Sequence, residues 1–146
     1  MNLLIMGIKD AVDYVPTNST YAIRIASKQT DFRFALQDSG LYTISEYLFD
    51  DDDPTRWGKI STNSITIDET IAGITLSDFK EKGTDKETLL VHCSRGKNRS
   101  PAVGIALNEI FGLGYDTSEL KKQYKEANWY VYRVLLETAP RLPNLK

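Results

Sequence analysis

Apolar and polar positions divide the chain into stretches with the periods of strands and helices. Leu3 to Ile8 is a short, almost unbroken apolar run, which predicts a first strand buried on both faces. Lys9 to Val15 follows as a short helix stopped by Pro16. Tyr21 to Ser27 sets Tyr21, Ile23 and Ile25 against Ala22, Arg24 and Ala26, the period-two alternation of a second strand. Lys28 to Gly40 is polar, with Phe32 and Phe34 in it, and reads as a loop or short helix. Leu41 to Phe49 is a third strand. Thr66-Ile67-Asp68-Glu69 has the form of a capping box. Ile67, Ile71 and Ile74 then share a helical face, with Phe79 near its end and Gly83 as the stop. Thr84 to Glu87 is a polar loop into Leu89, Leu90 and Val91, a buried fourth strand.

The second half of the chain reads as helices. From Ala102 to Phe111 the apolar residues surround nearly the whole cylinder, so this helix must be buried, and Gly112 ends it. Asp116 or Thr117 caps a charged helix from Ser118 to Ala127, with Leu120 and Tyr124 as its apolar edge. Tyr130 to Ala139 is a last helix with Val131, Val134 and Leu135 inward, and Pro140 and Pro143 terminate it. Asn128 and Trp129 stand at the joint, where they reach a pocket rim or, for Trp129, serve as packing. Strand, short helix, two strands, helix, strand and three helices predict an α/β domain with a mostly parallel central sheet flanked by helices. No repeat or linker divides residues 1–146, so one domain is expected.

The chemistry concentrates between the fourth strand and the buried helix. Ser100-Pro101 reads as a helix start, with Ser100 at the N-cap and Pro101 at the first helical position. A six-residue turn from strand to helix can point its backbone N–H groups inward, making an anion nest to which the helix dipole adds positive potential. Gly96 in mid-loop permits a backbone angle that a side chain would forbid. Arg99 closes the loop with a planar fork matched to two phosphate oxygens. Cys93 lies in the floor of the same cup, and helix N-termini and neighbouring Arg favour the thiolate form of such a Cys.

Composition narrows the setting. The 146 residues suffice for one domain with a single core. A net charge of −2 gives no general affinity for nucleic acid or an anionic membrane. One Cys excludes an internal disulfide and suits a reducing compartment, and one His beside one Cys does not build a typical zinc site. The N-terminal apolar run is too short for a signal peptide or a membrane span. A cytoplasmic protein is expected.

His92-Cys93-Ser94-Arg95-Gly96-Lys97-Asn98-Arg99-Ser100 resembles the signature loop of the cysteine-dependent protein tyrosine and dual-specificity phosphatases, His-Cys-x5-Arg-Ser/Thr with an internal Gly. Element order follows that family over nearly the whole chain, whereas specific residues match only in this loop. The resemblance implies a phosphotyrosine-phosphatase-like fold and hydrolysis of a phosphomonoester through a phosphocysteine on Cys93. It implies phosphate held by Arg99 and the amides of Ser94, Arg95, Gly96, Lys97, Asn98 and Arg99, with no cofactor and no metal. Ser100 is expected to stabilise the departing thiolate, and His92 to orient the loop through a backbone hydrogen bond. Arg95 and Lys97 add positive charge to the rim.

The family also draws a general acid from an Asp on a loop after an upstream strand. Asp50-Asp51-Asp52-Asp53-Pro54 occupies that position, although Trp57 to Ser64 lengthens the path to Cys93. A plain solvated acidic turn is the competing reading. The family's acid follows the last apolar strand residue by one or two positions, which points to Asp51, then Asp52. Asp68 and Asp78 are rivals with structural roles open to them: dipole pairing in a first turn for Asp68, surface exposure for Asp78. The expected substrate is a phosphorylated protein or peptide. The alternatives are an inactive phosphate-binding module, a related phosphatase acting on phosphoinositide or RNA phosphate, and a rhodanese-like or arsenate-reducing thiol enzyme, against which Arg99-Ser100 and the missing second Cys argue.

Overall fold

The computed structural model describes residues 1–37, 39–56 and 63–145. Four strands, β1 (Asn2–Gly7), β2 (Thr20–Ala26), β3 (Tyr42–Leu48) and β4 (Thr88–Cys93), pair in the order β1-β4-β2-β3, all parallel. The strand that carries the Cys is thus internal, with Gly7 beside Cys93 on one side and Arg24 beside His92 on the other. β2 is buried along its whole length, and so is β4. The first strand is not buried on both faces as its sequence predicts. It lies at a sheet edge, most of its residues are half-buried, and Ile8 opens the next helix, α1 (Ile8–Asp13).

Alternation along the strands separates two apolar layers. Tyr21, Ile23, Ile25, Leu89, Val91 and Cys93 face the main core, packed against α2 (Glu69–Asp78), α3 (Arg99–Phe111) and α5 (Trp129–Thr138). Ala22 and Leu90 face the opposite side, with Ala11 of α1 and Leu36. A fully buried side chain of this size contributes about 1.5–3 kcal/mol, so the core under α2, α3 and α5 carries most of the stability. α4 (Thr117–Gln123) packs on α3 and is capped by Asp116, which accepts the Glu119 N–H at 3.1 Å. It stops short of the expected Ala127, because residues 124–127 turn inward to bury Ala127. No helix among the described residues is long and apolar enough to cross a membrane.

Two helix starts differ from the sequence reading. α2 is capped by Asp68, which accepts the Ile71 N–H at 2.9 Å, and not by Thr66, whose hydroxyl donates to Asp52 at 2.7 Å. Ile67 lies ahead of the helix, so its burial does not define the helical face. Ala72, Thr75, Leu76 and Phe79 turn inward, and Ile74 is 51% exposed. α3 begins at Arg99, which puts Ser100 inside the first turn and Pro101 at its third position. A first-turn N–H has no intrahelical partner, so the proline breaks no hydrogen bond there. Gly112 ends α3 with φ 63°, as expected of a left-handed cap.

Candidate active site

Strand β4 ends at Cys93 and α3 begins at Arg99, so Ser94 to Asn98 must reverse direction within five residues. Gly96 makes this possible. Its φ is +73°, and a Cβ there would lie 2.5 Å from the Gly7 nitrogen. Any side chain would be both strained and driven into β1. Ser94 fastens the loop to the start of α1, its carbonyl accepting the Ile8 N–H at 3.2 Å.

The turn encloses the thiol. Cys93 is 2% exposed. Its Sγ accepts the backbone N–H groups of Gly96 at 3.3 Å and Ser100 at 3.4 Å, and lies 3.2 Å from Ser100 Oγ. Two backbone donors and a hydroxyl thus surround one sulfur at the start of a 13-residue helix, whose dipole adds positive potential there. The Ser100 hydroxyl is therefore turned to the thiol instead of capping the helix. The amides of Arg95, Lys97 and Asn98 make no hydrogen bond among the described residues, which leaves them available to an anion above the sulfur.

Arg99 is 7% exposed and well anchored. Nη1 donates to the Phe49 carbonyl at 2.8 Å and to Ser27 Oγ at 3.0 Å, and Nη2 donates to Ser94 Oγ at 3.3 Å. Nε and the second Nη2 proton make no hydrogen bond among the described residues. These are two adjacent donors of the kind that grip two oxygens of a phosphate. Ser27 and the Phe49 carbonyl went unnoticed in the sequence, because neither follows a motif. They lie at the carboxyl ends of β2 and β3, where ligands gather in parallel sheets. Arg95 and Lys97 are exposed on the rim.

The acidic run comes apart into four separate roles. Asp50 accepts the Ile65 N–H at 2.6 Å, and Asp53 accepts both the Thr55 N–H and the Thr55 hydroxyl. Asp52 is 1% exposed and accepts the Thr66 hydroxyl. Asp51 is half-buried; Oδ1 accepts Asn128 Nδ2 at 2.8 Å, and Oδ2 has no partner among the described residues. Asp68 is the cap of α2, and Asp78 is half-buried where it accepts the Tyr47 hydroxyl at 2.6 Å, not exposed as expected. Of the stretch 57–64 that lengthens the chain after the acidic run, residues 57–62 lie outside the described residues.

Asn128, flagged at the joint between helices, connects both halves. Its Oδ1 accepts the N–H groups of Tyr130 and Val131, capping α5. Its Nδ2 donates to Asp51 Oδ1 and to the Asp52 carbonyl, and its own N–H donates to the Asn98 carbonyl at 2.9 Å. Asn98 in turn donates to the Glu126 carbonyl at 2.6 Å. The signature loop, the acidic loop and the α5 N-terminus thus meet at one buried amide.

His92 has a second anchor besides the backbone of Cys93. Its ring is 1% exposed and is held by a side chain, with Nε2 accepting from Arg24 Nε at 2.9 Å. Burial, and then the Arg24 charge, push its pKa down to about 4, so the ring is neutral at pH 7. Arg24 had read as the polar face of a strand; the signal available was a charge in the middle of an otherwise buried alternation. No cluster of three or more His, Cys, Asp or Glu able to hold a metal occurs among the described residues.

No protein-family model matches the chain, and no curated protein matches it in sequence. Solved structures do match. The crystal structure of a human tyrosine phosphatase-like serine/threonine/tyrosine-interacting protein aligns with a TM-score of 0.59 and 21% identity, covering 93% of this chain and 89% of that one. That of Tk-PTP in the active form aligns with a TM-score of 0.55 and 13% identity, covering 97% and 94%. The chain therefore has the α/β fold of tyrosine-phosphatase-like proteins, a parallel sheet flanked by helices.

Proposed function

We propose that the chain is a single-domain, cysteine-dependent phosphomonoester hydrolase acting on phosphorylated tyrosine, or on both tyrosine and serine/threonine, in proteins or peptides. The observation that carries this reading is the thiol at the floor of an amide-lined cup, with two backbone N–H groups and the Ser100 hydroxyl around its sulfur and a buried Arg closing the loop. A lone free thiol suits a reducing, cytoplasmic setting.

The geometry supports the following roles. Cys93 Sγ attacks phosphorus as the bond to the leaving oxygen breaks. Asp51, whose Oδ2 is uncommitted among the described residues, gives that oxygen its proton. The amides of Arg95, Lys97 and Asn98 and the Arg99 fork hold the equatorial oxygens, most strongly as charge builds in the transition state. Water then attacks the phosphocysteine, Asp51 takes its proton, and the sulfur leaves as thiolate with the Ser100 hydroxyl donating to it. The products are the alcohol or phenol and orthophosphate. Asp52 is tied to Thr66, which favours Asp51 for the proton transfer.

Hydrolysis of an aryl phosphate in excess chelator tests this reading. Turnover that survives chelation and is abolished in Cys93→Ser is the expected result. One matching structure is described as phosphatase-like and interacting, so a phosphate-binding module is the second reading. Wild-type protein that binds tungstate without turning over aryl phosphate would establish that instead.

A further inference from the structure

Strand β2 touches both ends of the signature loop. Arg24 lies across from His92 in the sheet register and is 3% exposed. Its Nε donates to His92 Nε2 at 2.9 Å, Nη1 to Glu46 at 3.4 Å and Nη2 to the Phe34 carbonyl at 2.5 Å, with the guanidinium over the Phe32 ring. Three residues on, Ser27 accepts from Arg99 Nη1 at 3.0 Å. One short stretch of β2 therefore holds the residue before the nucleophile and the residue that closes the cup.

Stability alone does not explain this network. Buried ionic groups can often be replaced by apolar residues of similar volume without loss. Here a cation is buried against a ring that is itself buried. What the arrangement supplies is position. An Arg in a protein does not give up its proton, so its bond makes Nε2 the acceptor and puts the ring proton on Nδ1. The imidazole has one tautomer and one orientation, and its backbone leads directly into Cys93.

We propose that Arg24 is a positioning residue for the site: through His92 it fixes where β4 ends, and with Ser27 on Arg99 it clamps the signature loop from the neighbouring strand. The effect on turnover rests on the phosphatase reading; the effect on His92 does not. The groups around His92 leave Arg24 as its only charged contact among the described residues. Glu46 on β3 pairs with Arg24, and Tyr42 on β3 and Tyr14 after α1 lie behind it in electrostatic reach. Lys9, Asp10 and Asp13 of α1 and Arg33 are exposed, and Asp31 accepts the Lys28 N–H.

His92 is the only histidine in the chain, so its NMR signals need no assignment by elimination. Wild-type protein should show the Nδ1–H tautomer and no titration above about pH 5, in keeping with a pKa of about 4. Arg24→Met should mix the tautomers and bring the titration toward its ordinary value. It should also lower kcat on an aryl phosphate on the order of 10²-fold, well beyond any change in KM, and weaken tungstate binding. A folded Arg24→Met with an unchanged ring and unchanged kcat overturns the proposal. If that variant does not fold, wild type decides: an Nε2–H tautomer, or titration near 6.5, refutes it. If wild type has no turnover, the phosphatase reading fails, and tungstate affinity unchanged in Arg24→Met refutes the clamp separately.

Discussion

The cup and the acidic loop are built in opposite ways. The cradle of the thiol is local: Cys93, Gly96 and Ser100 meet around one sulfur within a strand, a turn and a helix start that follow one another in the chain, and the flanking His92 and Arg99 are held from a distance. The acidic loop owes its form to distant residues. Asn128 reaches it from 77 positions away, Ile65 and Thr66 from 15 and 14. A nucleophile in a backbone cradle can be written into a short motif, whereas a proton donor must be placed from outside its own segment.

Four measurements break or sharpen that contrast. The largest effect is expected inside the local half: Cys93→Ser should abolish aryl phosphate turnover while tungstate still binds, read by stopped assays and calorimetry. Next, Asp51→Asn should lower kcat by about 10²–10³-fold, and Asp52→Asn much less; equal losses would move the acid. Third, the pH dependence of stability should show His92. Its folded pKa lies at about 4, below the ordinary 6.5, so the unfolded chain binds more protons between those values. Stability should then be complete above about pH 6.5 and fall on the order of 3 kcal/mol as pH drops toward 4. Urea midpoints across that range, compared with His92→Asn, give the answer. The smallest effect belongs to the bridge: Asn128→Ala removes a helix cap, costing about 1–2 kcal/mol. It should also lower kcat by roughly 10-fold through misplacement of Asp51, with the cup's tungstate affinity kept.

The same contrast explains what could be read from the sequence. Burial of the fourth strand, the left-handed angle at Gly96 and the Gly112 cap follow from period and from local sterics, and these expectations agree with the structure. Ser100 was legible as a partner of the thiol through the resemblance, but its reading as the N-cap fails, because capping and sulfur contact compete for one hydroxyl. Thr66 was misread for a similar reason: Asp52, far away in sequence, takes its side chain. Ile74 illustrates the limit of periodicity, which finds an apolar stripe but not the neighbour that decides which stripe turns inward. Arg24 shows the converse, a charge whose burial becomes intelligible only once β4 is placed beside β2.

The sheet order has a consequence for how the molecule is made. β4 inserts between β1 and β2, pairing Thr88 with both Asn2 and Thr20. As the chain leaves the ribosome, β2 can find β3, but β1 has no neighbour until β4 emerges. A chain of about 90 residues therefore carries open strand edges, the state most exposed to aggregation and to chaperones. Long-range parallel pairing of this kind is also slow. The thiol becomes enclosed only when that gap closes, and Asp51 gains its tether only after Asn128 has been synthesised. The cup and the acidic loop are thus joined only after the fourth strand and Asn128 have both been made.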